Sequence, residues 1–260
     1  MNHWTELSIE FANQRNYLDE LFRVYPCIPE NIREIDESKW ESVEVAFKTK
    51  NKIDLIQSLL KLKLFPIKDS YVAYLRHDHG AIMRNPATVD RLWGRIYELG
   101  LNEVYSRCSD PKEMNRQIGP LFHRWLKKKE LGVELLEEKQ FLATKENSIL
   151  SGSDSQLLDF AQRHLNYSGT KGLDFIGRFN NKYVIGEAKF LTDFGGHQNA
   201  QFADAINLLE QSNVNAVKIA ILDGVLYIRS NEKMHRFLKE HPEEFNILSS
   251  LVLREFLYQI

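Results

Sequence analysis

The hydrophobic rhythm of the chain changes about half-way along. Up to about residue 130, apolar residues recur at spacings of three and four, as in Leu18, Leu21, Phe22 and Val24, then Ile53, Ile56, Leu59 and Leu60. That period marks the buried stripe of amphipathic helices and predicts a mainly helical N-terminal part. Asn85-Pro86 predicts a helix start, with Asn85 as cap and Pro86 in the first turn, and Gly100 predicts its end. A further helix is expected over 112–129, bent at Gly119-Pro120.

Beyond about residue 131 the pattern differs. Ser151-Gly152-Ser153-Asp154 predicts a loop and helix cap, followed by a helix through Leu157, Leu158, Ala161 and Leu165. Two β-like segments, 173–179 and 182–190, then flank Asn180-Asn181. Asparagine tolerates the positive φ of a two-residue hairpin turn, so a tight hairpin is expected. A helix over 198–211 follows, and Asp223-Gly224 between 216–222 and 225–229 predicts a second hairpin. From Glu232 onward the chain reads as helical again. The pattern predicts a helical region over 1–110 and an α/β core over 111–260. That core holds a mixed sheet flanked by helices. No linker separates the two, so one continuous domain is the alternative.

Composition removes some classes. The 260 residues are 43% hydrophobic and 27% charged, enough for a sizeable core. No stretch approaches the roughly 20 apolar residues that span a bilayer, and the start of the chain lacks the features of a secretory signal. Cys27 and Cys108 lie far apart without metal-ligand spacing, which predicts reduced thiols in a cytoplasmic protein. The net charge of −2 is unlike many nucleic-acid binders, but phosphate contacts need only a local positive surface.

The first hairpin carries the chemistry. With a loop at 180–181, counting back along both strands places Asp174 opposite Glu187, with Cβ atoms about 4.5–5.5 Å apart. Side chains alternate along a strand, so Glu187 and Lys189 share a face and Ala188 takes the other. Two carboxylates and an amine therefore converge among apolar neighbours, Ile176, Val184, Ile185 and Phe190. Charges are expensive in a sheet unless paired or metal-bound, and oxygen donors suit a hard cation such as Mg²⁺. On an exposed hairpin the same residues would be only a modest surface ion pair. Spacing alone is weak: Glu137-Glu138-Lys139 has it without a hairpin.

Gly172-Leu173-Asp174 followed by Glu187-Ala188-Lys189 resembles the signature of the PD-(D/E)xK nuclease superfamily, with Leu173 where the family has proline. The wider segments Lys171 to Phe175, Gly186 to Phe190 and Asp193 to Gln201 most resemble type II restriction endonucleases. The motif covers about a tenth of the chain, and the element order matches the family core over about 110–230. The resemblance implies a restriction-endonuclease-like core in a Mg²⁺-dependent, sequence-specific endonuclease of double-stranded DNA, with Mn²⁺ able to substitute. Asp174, Glu187 and the Ala188 backbone carbonyl would hold the metal, Lys189 would serve the attacking water, and the ends would carry 5′-phosphate. Some relatives recruit a further acid from a preceding helix, for which Glu146, Asp154 and Asp159 are candidates. A symmetric site would favour a homodimer. A structure-specific or repair nuclease with the same core, and a non-catalytic DNA-binding protein, are the other readings.

DNA contacts are expected next to the motif. Gly195-Gly196 permits close approach of backbone to a ligand, and His197, Gln198, Asn199 and Gln201 follow it. Asn and Gln can read adenine with paired hydrogen bonds. Arg116 in the basic stretch 107–129, and Arg84 with Arg76, Arg91 and Arg95 near Tyr71 and Tyr74, are candidates for phosphate contacts, although such runs are usually solvated faces. His77-Asp78-His79 reads as a polar loop, and His123 and His164 as partly packed helix residues.

Overall fold

A computed structural model describes residues 2–14, 16–26, 33–110 and 118–260. Two compact units emerge, Met1–Cys27 with Met114–Ile260, and Ile28–Glu113.

The first unit is built on a six-stranded mixed sheet whose strand order follows the chain: β1 (Glu134–Leu136), β2 (Ser148–Leu150), β3 (Phe175–Phe179), β4 (Lys182–Leu191), β5 (Val217–Gly224) and β6 (Asn246–Leu248). The β2–β3 and β3–β4 pairs are antiparallel, whereas β1–β2, β4–β5 and β5–β6 are parallel. Parallel neighbours need crossovers, and α10 (Glu138–Ala143), α12 (Gly196–Glu210) and α13 (Lys233–Glu240) lie in those connections. The antiparallel step from β2 to β3 carries α11 (Asp154–His164). Ser153 and Gln156 close its start as a capping box.

Every residue of β3 is buried. Ile176 and Ile185 pack with Leu157, Phe160 and Ala161 of α11, while Phe175, Phe179 and Val184 join a separate cluster with α9 (Ile118–Lys127) and α14 (Leu253–Gln259). A sheet covered on both faces explains why its central strands are apolar at consecutive positions.

The first helices pack with this sheet. In α1 (His3–Ala12), Thr5 Oγ1 donates to the Ile247 carbonyl of β6 at 2.8 Å, and Ser8 Oγ accepts from the Ser249 N–H at 2.9 Å. After α2 (Tyr17–Val24), Tyr25 donates to Asp223 Oδ2 at 3.1 Å. The sequence pattern places all of 1–110 in one helical region. These buried hydrogen bonds group the first helices with the sheet instead. The second unit is helical, from α3 (Glu37–Lys48) and α4 (Lys52–Leu60) through α5 (Tyr71–His77), α6 (Ala81–Arg84) and α7 (Pro86–Leu99) to α8 (Leu101–Cys108). Its core includes Val43, Leu55, Ile56, Leu59, Leu92 and Ile96.

Three local expectations are corrected. Asn85 precedes α7 as expected, but its side chain donates back to the Ala81 carbonyl at 2.8 Å and does not cap the helix. Asp223-Gly224 forms no hairpin: Gly224 ends β5 and is followed by a 3₁₀ turn, Val225–Tyr227. The glycine is needed because it pairs with Leu191 at φ +101°, where a Cβ would lie 2.1 Å from the Leu191 carbonyl oxygen. The tail is helical apart from β6, which adds a sixth strand.

Candidate active site

The β3–β4 turn has the expected register. Asn180 and Asn181 both hold left-handed backbone, at φ +49° and +62°, as a type I′ hairpin turn requires. Phe179 pairs with Lys182 and Phe175 with Gly186, so the next position back is Asp174 beside Glu187. Asp174 stands one residue before β3 and donates its N–H to the Gly186 carbonyl at 3.1 Å. By alternation, Asp174, Glu187 and Lys189 continue the face that Ile176 and Ile185 bury against α11.

Lys189 joins the two acids. Its Nζ lies 2.5 Å from Glu187 Oε1 and 3.2 Å from Asp174 Oδ2, and the Ala188 N–H also donates to that Oδ2, at 2.9 Å. The three side chains are only 11% to 23% exposed. One ammonium faces two carboxylates here, and Asp204 on α12, itself paired with Lys171, adds a smaller negative field at Glu187. Burial, and then the Asp174 carboxylate, push Glu187 up to about 7 against the pull of Lys189. Burial works to lower Lys189, but Asp174 and Glu187 together outweigh it and hold the ammonium above its ordinary range. The excess negative charge of this site is offset either by a proton on Glu187 or by a bound cation.

Two further clusters flank the trio. On one side Glu187 lines a cleft of about 380 Å³ with Tyr167, Lys171, Asp204 and Asn207, in which Lys171 pairs with Asp204 at 2.5 Å. On the other, Asp174 lines a cleft of about 400 Å³ with His123, Ser151 and Ser153. Of the candidate acids on the preceding segment, Asp154 lies in a cluster with Asp174 and His123. Asp159 pairs with Arg163, and Glu146 is exposed. Gly172 makes the approach of Asp154 possible, since a Cβ there would fall 2.6 Å from the Asp154 Cβ. Sequence reasoning set His123 aside and did not single out Asp204. No local pattern ties either to the motif.

A family model described as the Tsp45I type II restriction enzyme matches residues 2–260. The chain belongs to the Tsp45I type II restriction enzyme family. Comparison with curated proteins and with solved structures gives no match. As a type II restriction enzyme the chain is a site-specific deoxyribonuclease, a DNA-binding hydrolase of a restriction system. Enzymes of this type generally use a divalent metal. The mixed six-stranded sheet with its helices is consistent with the restriction-endonuclease-like fold expected from the motif. No helix among the described residues is long and apolar enough to cross a membrane.

The residues expected to touch DNA in this restriction enzyme separate by environment. Gly196 opens α12, and His197 and Gln201 lie on its first turns, 3.2 Å apart through their side-chain nitrogens. Gln198 is buried, and both ends of its amide are bonded to Thr192, so it fastens the loop to the helix. Asn199 donates to the Phe194 carbonyl at 2.9 Å and does the same work. Arg84 belongs to the helical unit and pairs with Asp78 of the His77-Asp78-His79 segment. Arg116 lies outside the described residues. The weak Glu137-Glu138-Lys139 match enters α10, away from any hairpin.

Proposed function

We propose that this restriction enzyme hydrolyses both strands of a specific double-stranded DNA site with Mg²⁺, and that Asp174, Glu187 and Lys189 carry the reaction. The observation behind the reading is Lys189 Nζ lying within reach of both carboxylates at the end of a buried hairpin. The donor set fits a hard cation: two carboxylates with uncompensated charge, plus the Ala188 carbonyl. In a β ladder a residue turns its N–H and C=O toward the same neighbour. The Ala188 N–H meets Asp174, which supports the carbonyl as the third oxygen.

When bound, the ion would polarise the phosphate and acidify a water. The residues do the rest. Asp174 and Glu187 would hold the ion, and the Ala188 N–H keeps Asp174 from rotating away. Lys189 is held protonated by its two acids, so Nζ acts as a donor that aligns the attacking water and stabilises charge on the phosphate oxygen. The water attacks phosphorus as the P–O3′ bond breaks, its proton passes to solvent and the departing 3′-oxygen takes one up, which leaves 5′-phosphate and 3′-hydroxyl ends. A twofold-symmetric site favours a homodimer with one active site per subunit. The helical unit would supply DNA contacts, dimer contacts or both, and the first turns of α12 would approach the DNA beside the scissile phosphate. Free Cys108 fits a cytoplasmic setting.

The test is incubation of the purified protein with unmethylated phage DNA and Mg²⁺, beside EDTA and Lys189→Ala controls. Discrete fragments with 5′-phosphate ends are expected, with cleavage by Lys189→Ala reduced at least about a hundredfold. Undiminished cleavage by folded Lys189→Ala would overturn the residue assignment.

A further inference from the structure

We propose that a basic cleft in the helical unit, lined by Arg33, Lys61 and Lys63, is a phosphate-binding site that grips a backbone phosphate of the DNA. Arg33 leads into α3, and the two lysines follow α4 with buried Leu62 between them. Together with Lys39, Glu34 and Asp36 they line a cleft of about 180 Å³, which has room for one phosphate group and its waters.

Four cationic side chains meet two acidic ones there. Asp36 is committed to the start of α3: it accepts from Ser38 Oγ at 2.6 Å and from the Lys39 N–H at 3.3 Å, and Lys39 Nζ lies 3.7 Å away. Glu34 is exposed. Lys61 and Lys63 have no ion-pair partner among the described residues. Arg33 is fixed in place, because its backbone N–H donates to the Ser109 carbonyl at 2.8 Å. Its Nε is buried and meets no acceptor in the protein. Buried N–H donors are almost always paired, so this one points to an oxygen supplied by a ligand. The wall behind is firm, since Arg76 donates to the Leu62 carbonyl at 3.0 Å. Cys108 adds no charge to the lining: burial, and then Asp110, push its thiol up to about 12.

Chemistry selects phosphate. A guanidinium fork matches two oxygens of an oxyanion, and the ammonium groups act as point charges for the rest. A tetrahedral phosphate offers acceptors to donors on several sides, whereas a carboxylate presents two in one plane. In a DNA-binding enzyme the phosphates at hand are those of the backbone. The cleft gives a definite place to the DNA contacts proposed for the helical unit and rests on that reading, but not on Asp174, Glu187 or Lys189.

Fluorescence anisotropy of the full chain with a labelled duplex, in EDTA to prevent cleavage, tests it over about 50–200 mM KCl. Wild type, Lys61→Ala, Lys63→Ala, their double variant and Arg33→Lys are compared, each checked for folding by circular dichroism. Lys48→Ala, in an exposed lysine of α3 outside the cleft, controls for loss of charge. Each cleft variant should bind about threefold to tenfold more weakly, and the double variant should lower the salt slope by about 1, because both lysines serve one phosphate. Arg33→Lys should weaken binding although it keeps the charge, and Lys48→Ala should match wild type. Wild-type binding by the double variant would overturn the site. Equal weakening in Lys48→Ala would overturn it too, leaving only general charge. Calorimetry with inorganic phosphate separates the sources: heat in wild type, with duplex binding unchanged in the double variant, would assign the cleft to free phosphate and overturn the backbone contact. No cleavage is read, so failure here leaves the catalytic reading intact.

Discussion

The Ala188 N–H donates to Asp174 Oδ2 at 2.9 Å, so a carboxylate that precedes its own strand is fixed by the neighbouring one. Asparagine can keep that acceptor, whereas alanine cannot. Both Asp174→Asn and Asp174→Ala are expected to lose cleavage, because neither supplies a charged oxygen to a cation. Their stabilities should differ: in urea unfolding, Asp174→Ala should be less stable than Asp174→Asn by about 1–2 kcal/mol. Equal stabilities would show that the N–H bond does not hold the acid.

Glu187 gives the metal-free protein a definite pH dependence. Its carboxyl is raised in the fold from 4.5 to about 7, by burial and then by Asp174, so the folded state holds a proton that the unfolded state releases between those values. Its contribution to stability is therefore complete below about 4.5 and is lost as pH rises through about 7. Glu187→Gln removes this titration. In EDTA, the stability of Glu187→Gln relative to wild type should increase from pH 4.5 to pH 7 and then level off. A difference independent of pH would contradict the raised carboxyl.

Gly172 tests how the site is assembled. A Cβ at this position would stand 2.6 Å from the Asp154 Cβ and 3.1 Å from that residue's backbone carbon and oxygen. Since backbone cannot simply rotate aside, Gly172→Ala should push the segment leading to Asp174 away from α11. The expected cost is about 1–3 kcal/mol in thermal or urea unfolding, with a fall in cleavage that tighter substrate binding does not rescue. Wild-type stability and rate would show that this approach is unimportant.

The turn offers a control that spares the chemistry. Asn181 has φ +62°, where a β-branched side chain is strained. Asn181→Val should cost about 1–2 kcal/mol, and Asn181→Gly should be neutral or stabilising. Asn180 is the poorer choice, because its side chain also donates to the Tyr258 and Ile260 carbonyls at 3.1 and 3.0 Å. Denaturant midpoints for the two Asn181 variants would decide the matter.

The candidate site was readable where its geometry is local. A two-residue loop fixes register, and register with side-chain alternation brings Asp174, Glu187 and Lys189 to one face without knowledge of the remaining chain. The same reasoning failed at Asp223-Gly224, which has an equally good turn composition. There the carboxylate is buried among Tyr25, Ser249 and Ser250, partners from both ends of the chain, and the glycine is spent on close approach to Leu191. Strands β1, β2 and β6 have three residues each, too few for alternation to register.

From sequence alone came the helical and α/β halves, the hairpin and its three charged residues, because each depends on contacts a few residues apart. Tertiary structure decided that the first two helices belong with the sheet, that Gln198 faces Thr192, and that Asp154 and His123 stand beside Asp174 while Glu146 and Asp159 do not. Those outcomes depend on packing between elements distant in sequence, where the free energy of burial and of satisfying buried polar groups outweighs any local preference.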